Sequence, residues 1–154
     1  MTSLGLSNKY IENFLYSKSK SFKGVYSCNS LPVLTGNFTI ISNLSKVNEP
    51  GTHFIVIVVN DNQIGYFDPL GLPCFNKYIL KYMSKFKKKH VYNKIQFQCW
   101  NSIFCGYYCI LFILLHDRNY PFSKLKLLFS KNCQQNDKKV VELIKYLINE
   151  NIVA

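Results

Sequence analysis

From Ile103 to Leu115 the chain carries no charged side chain. A helix that is apolar all round has no face to offer water, so it must be enclosed. The run is shorter than the roughly 20 residues a bilayer span needs, which leaves protein as the enclosure. The segment therefore reads as a buried central helix from about Ser102 to His116. It is ended by "DRNYPF", where Pro121 cannot continue a helix.

The rest of the chain supplies elements to cover that helix. "HFIVIVV" is β-branched and continuous, the pattern of a strand covered on both faces. "NDNQ" is turn chemistry, and "IGYFD" reads as the returning strand of a hairpin. Upstream, "LSNKYIENFLYS" predicts a short amphipathic helix capped at Ser7 or Asn8, with Ile11, Phe14 and Leu15 on one face. "GVYSCNSLP" reads as an extended piece ending in a turn, and "NFTIISNLS" as a strand. Downstream, "KYILKYMSKFKKK" predicts a helix with Tyr78, Ile79, Tyr82, Met83 and Phe86 inward, and "VYNKIQFQ" predicts a further strand. "SKLKLLFSK" and "DKKVVELIKYLINE" read as two amphipathic helices. With no internal repeat or linker, residues 1–154 read as a single domain. Its class is α+β, a small mixed or antiparallel sheet packed by helices.

Apolar residues at 48% and charged residues at 18% exclude a disordered chain. The formal charge of +11 is almost all lysine, with Arg118 the lone arginine. Lysine point charges suit non-specific contact with a DNA backbone, whereas base readout would call for the arginine fork. A composition rich in Lys, Asn, Ile, Tyr and Phe also accounts for the charge without any ligand. "MTSLGLSNKY" lacks a basic segment leading into a hydrophobic core, so an intracellular, non-secreted and non-membrane protein is expected. The six cysteines form no CxxC pair, which argues against a zinc ribbon. Reduced thiols are expected rather than three disulfides.

The chemistry concentrates at the start of the central helix. A thiol acts in acyl transfer as its thiolate, which a helix N-terminus and a neighbouring imidazolium both favour. Cys105 stands at that start, and Gly106 leaves room for a substrate carbonyl. If Val59 and Ile64 flank the hairpin turn, His53 lies opposite Leu70, and Asp68 is its diagonal neighbour at roughly 7–8 Å between backbones. That places a base beside a carboxylate able to orient it. Gln98, upstream of the thiol, is a side-chain donor for an oxyanion, alongside the backbone N–H of Cys105. Taken singly, each residue has a plainer account: Cys105 as a small buried hydrophobe, His53 as a strand-end polar group, Asp68 as turn chemistry before Pro69. The conjunction favours a catalytic site at His53, Asp68, Gln98 and Cys105, with no metal.

"GTHFIVIVVN", "YFDPLGLP" and "QCWNSIFCGYYC" resemble the His, acidic and Gln-plus-Cys motifs of the adenovirus protease (adenain) family, including its Polinton/Maverick and viral members. More distantly they are similar to the Ulp-type SUMO proteases. The likeness is closest over residues 51–110 and extends loosely to the leading helix and "NDKKVVELIKYL". It implies an adenain-like fold and a cysteine endopeptidase cutting viral precursor proteins. In that role His53 is base and acid, Cys105 nucleophile, Asp68 orienter and Gln98 oxyanion donor. The implied setting is a virion or the host nucleus or cytoplasm, with a monomeric enzyme. DNA is implied as an activator, and no other cofactor is required by the sequence. Phe54 stands where the family commonly has Trp. Neither Cys74 nor Cys99 matches the position of the family's peptide disulfide, so a peptide cofactor is not carried over. Acetyl transfer from an acyl-CoA at a site of related architecture is one alternative, and two further readings stand beside it. One is a ubiquitin-like isopeptidase, and the other is a basic nucleic-acid-binding module centred on Lys85–Lys89 with structural Cys and His.

Overall fold

A computed structural model describes residues 5–153, with side chains described through residue 149. The residues Met1–Leu4 of the stretch read for a leader lie outside them. Five strands form one sheet in the order β1 (Phe22–Ser27), β2 (Phe38–Asn43), β3 (Phe54–Val59), β4 (Gln63–Phe67), β5 (Lys89–Tyr92). The outer pairs β1–β2 and β4–β5 are parallel, and the inner pairs are antiparallel. The sheet is therefore mixed, within an α+β fold. Helices α1 (Asn8–Tyr16), α2 (Lys77–Ser84), α3 (Cys105–Asp117) and α4 (Cys133–Val153) pack around it, with a short 3-10 helix at Phe122–Leu127.

The unbroken apolar sequence of β3 is explained by two cores, one on each face. Phe54, Val56 and Val58 face α3, together with Ile11 and Leu15 of α1 and Val140 and Ile144 of α4. The alternating residues Ile55, Ile57 and Val59 face α2 through Ile79, Tyr82 and Met83. Each fully buried aliphatic chain contributes roughly 1.5–3 kcal/mol. In α3 the residues from Tyr108 to Leu115 are all buried, so no polar stripe interrupts the helix.

The hairpin register is the one expected, with Val59 paired to Ile64 and Val56 to Phe67. The Ser7 cap is also present, its side chain accepting from the Tyr10 N–H. Of the residues expected inward along and just past α2, Ile79, Tyr82 and Met83 are buried, while Tyr78 and Phe86 pack at the margin.

Three elements differ from expectation. The strand read across "VYNKIQFQ" stops at Tyr92, because the Asn93 side chain turns back to Asp68 and Ile95. Only the first part of "SKLKLLFSK" is helical, within the 3-10 helix Phe122–Leu127, with Leu125 its buried residue. The last helix begins earlier than read, at Cys133. The cysteines also depart from a fully reduced set: Cys99 and Cys133 form a disulfide with Cα atoms 5.0 Å apart, within the usual range for the bond. Cys28, Cys74, Cys105 and Cys109 are free.

Candidate active site

His53 immediately precedes β3 and Asp68 immediately follows β4, so the open end of the hairpin carries both. Nε2 of His53 lies 2.7 Å from Oδ1 of Asp68. That oxygen also accepts from the Leu70 N–H at 2.8 Å. Asp68 is itself 2% exposed, and its backbone is clamped: its N–H donates to Asn93 Oδ1, and its carbonyl accepts from Asn93 Nδ2. The chain then turns at Gly71, whose φ of +74° suits glycine. A Cβ there would meet the Ile95 and Gln96 backbone at 2.6 Å.

With Nε2 engaged by Asp68, Nδ1 is the ring nitrogen left for another partner. Cys105 lines the same cleft as His53 and lies near enough to act on the charge of its ring. Burial alone would lower the His53 pKa. The hydrogen bond to Asp68, helped by Cys105 beside the ring, outweighs burial and raises it to about 9. The imidazolium is thus the favoured form at neutral pH.

Cys105 is half-buried and opens α3. Phe104 precedes it without supplying a side-chain cap. The first-turn N–H groups are left without that partner and aim their partial positive charge at the cleft. Gly106 has a packing role that the sequence did not suggest. It is buried against α1 and the segment before it, where a Cβ would approach Ile11 to 3.2 Å and Leu6 to 3.3 Å. Its smallness serves helix packing.

Gln98 is 2% exposed and directs Nε2 to the Ser102 carbonyl at 2.9 Å. A primary amide carries two N–H donors, so the second remains for another acceptor. Gln98 Oε1 and Ser102 Oγ are buried without hydrogen-bond partners. Buried orphans are uncommon, and they are concentrated here in the loop that leads into α3.

His53, Gln98 and Cys105 line one cleft of about 570 Å³, with Asn43, Thr52, Leu70, Trp100 and Ile103 around them, while Asp68 stands behind the imidazole. Trp100 is 61% exposed there, and sequence reasoning passed over it. Asn93 was missed as well. Its one signal was a polar residue interrupting an apolar strand pattern. A larger cavity of about 670 Å³ lies apart, between β5 and the 3-10 helix, and holds none of the four candidate residues. Among the described residues no His, Cys, Asp or Glu cluster could hold a metal, and no helix is long and apolar enough to cross a membrane.

The sequence matches no protein-family model and no curated protein. The fold is nevertheless one that solved proteases share. The ASFV pS273R protease aligns at a TM-score of 0.63 and 16% identity, over 88% of this chain and 65% of that one. Its selenomethionine structure aligns at 0.50 and 16%, over 68% and 43%. The SUMO protease Ulp1, with its catalytic cysteine oxidised to a sulfinic acid, aligns at 0.52 and 12%, over 95% and 80%. The chain thus spans less than two thirds of the length of the ASFV protease chains.

Proposed function

We propose that the chain is a cysteine endopeptidase of the adenain-like kind, acting through Cys105, His53, Asp68 and Gln98. The observation that carries this reading is the 2.7 Å His53–Asp68 pair sharing one cleft with a thiol at an uncapped helix N-terminus. The fold likeness to proteases supports it.

Cys105 Sγ attacks the scissile carbonyl carbon, and the carbonyl electron pair moves onto oxygen. The second N–H of Gln98 and the Cys105 backbone N–H receive that oxyanion. His53 gives its proton to the departing amine as the C–N bond breaks, leaving a thioester. Water then attacks the thioester, loses a proton to His53, and the sulfur leaves. Asp68 holds the ring in orientation throughout and balances its charge.

Viral precursor polypeptides are the proposed substrates and a monomer the proposed working form, inside a virion or host cell. Lys85, Lys87 and Lys89 are exposed, which supports non-specific DNA as an activator. Fluorogenic peptides containing glycine, with sequences of the capsid-precursor type, should be cleaved in preference to a ubiquitin-like fluorogenic substrate. The opposite preference would assign the same site to an isopeptidase. Cleavage of neither, together with DNA binding that survives Cys105→Ala, would assign the chain to the nucleic-acid-binding class.

A further inference from the structure

Phe97 and Gln98 are each 2% exposed yet belong to no helix or strand. Buried backbone outside regular structure must find its hydrogen bonds elsewhere. Their two N–H groups both donate to the carbonyl of Pro69, at 2.9 and 3.1 Å. The Gln98 carbonyl accepts from Gln96 Nε2 at 2.9 Å. The Phe97 carbonyl has two neighbours able to donate, Asn136 Nδ2 at 3.1 Å and the Tyr108 hydroxyl at 3.3 Å.

A hydroxyl has one proton. That of Tyr108 has a shorter, charge-assisted alternative in Asp137 Oδ1 at 2.8 Å. The dependable donor to Phe97 is therefore Asn136. Its side chain is 1% exposed and fixed in orientation. Oδ1 accepts from the Ser130 N–H at 2.9 Å, while Nδ2 also donates to the Ser130 carbonyl at 2.8 Å. Turning the amide over would set its oxygen against two carbonyls. One turn earlier on α4, Cys133 is bonded to Cys99, the residue after Gln98. The start of α4 thus grips the chain on both flanks of Gln98.

We propose that Asn136 is a positioning residue for the oxyanion donor Gln98, with the Cys99–Cys133 bond as the companion tie on the other flank. The inference rests on the peptidase reading above. Asn136 touches no reacting atom. It fixes the Phe97 peptide from which the Gln98 side chain projects.

The test is a double-mutant cycle on peptide hydrolysis with wild type, Asn136→Ala, Gln98→Ala and the double variant. Asn136→Ala should lower kcat about 10-fold or more, up to the roughly 10²–10³ of losing the donor itself. KM and the rate at which iodoacetamide alkylates Cys105 should stay near the wild-type values. In the Gln98→Ala background, Asn136→Ala should cost nothing further. An equal loss in both backgrounds would make Asn136 merely structural and overturn the inference, leaving the peptidase reading intact. No turnover by wild type, with Cys105 unreactive, would overturn both. If Asn136→Ala does not fold, the paired variant Cys99→Ser/Cys133→Ser takes its place in the cycle, with the same two outcomes.

Discussion

The Pro69 carbonyl accepts the backbone N–H of Gln98 at 3.1 Å, which ties the Asp68 side of the candidate site to the Gln98 side. Pro69 directly follows Asp68, whose own oxygen holds His53 at 2.7 Å. The exit of β4 therefore sets both the tilt of the imidazole and the place of the amide. Two halves of the candidate site that are far apart in sequence share a single mechanical reference.

The charge state of His53 depends on that arrangement. Its pKa stands at about 9 against an ordinary 6.5, with Asp68 the leading cause of the rise. A raised histidine contributes stability that is fully present below about pH 6.5 and is lost as pH climbs through about 9. Activity that needs the imidazolium should fall over the same upper range. Asp68→Asn removes the carboxylate and should move the alkaline limb of the kcat/KM profile towards neutral pH, with lowered kcat. Stopped assays across pH 5 to 10 on both proteins measure it.

Gln98→Ala should reduce kcat by roughly 10²–10³, about 2.7–4 kcal/mol of transition-state stabilisation, with KM little changed. The proposed second donor, the Cys105 N–H, should sustain the residual rate. Steady-state kinetics on a peptide substrate decide it, and a loss confined to KM would place Gln98 in binding and not in catalysis.

The Cys99–Cys133 bond closes a sequence separation of 34 residues around the whole of α3. Chain-entropy reasoning gives it about 3–4 kcal/mol. The Cys99→Ser/Cys133→Ser variant should unfold at correspondingly lower denaturant. Dithiothreitol should destabilise wild type by a similar amount and leave the variant unchanged.

Much of this architecture could be read from the residues. The hairpin register followed from turn chemistry between two apolar runs, and it brought His53 to Asp68 because a two-fold strand period leaves few alternatives. The uncharged run of α3 announced burial. What local pattern could not show was long-range closure. Nothing near Cys99 indicates Cys133, and nothing near Phe97 indicates Asn136. Asn93 ended a strand for a tertiary reason, its amide being drawn to Asp68. Gly106 was legible as a residue needing space, but the neighbour demanding that space was α1, which only the fold supplies.

Gly71 offers a check on how tightly the β4 exit is held. Its left-handed φ and the 2.6 Å approach to the Ile95 and Gln96 backbone leave no room for a methyl group. Gly71→Ala should cost more than about 1 kcal/mol. Because the turn positions Asp68, it should also lower the His53 pKa. Chemical denaturation gives the first quantity and histidine NMR titration the second.

The central assignment, Cys105 as the nucleophile paired with His53, is tested most directly by alkylation kinetics with mass-spectrometric mapping of every thiol. Burial pushes the Cys109 thiol well above its ordinary pKa and raises that of Cys74, while Cys28 is enclosed in the core. Cys105 should therefore be labelled first at neutral pH, and His53→Ala should slow that labelling at Cys105 alone. Fast labelling of Cys74 or Cys28 with Cys105 inert, or a Cys105 rate indifferent to His53, would contradict the assignment.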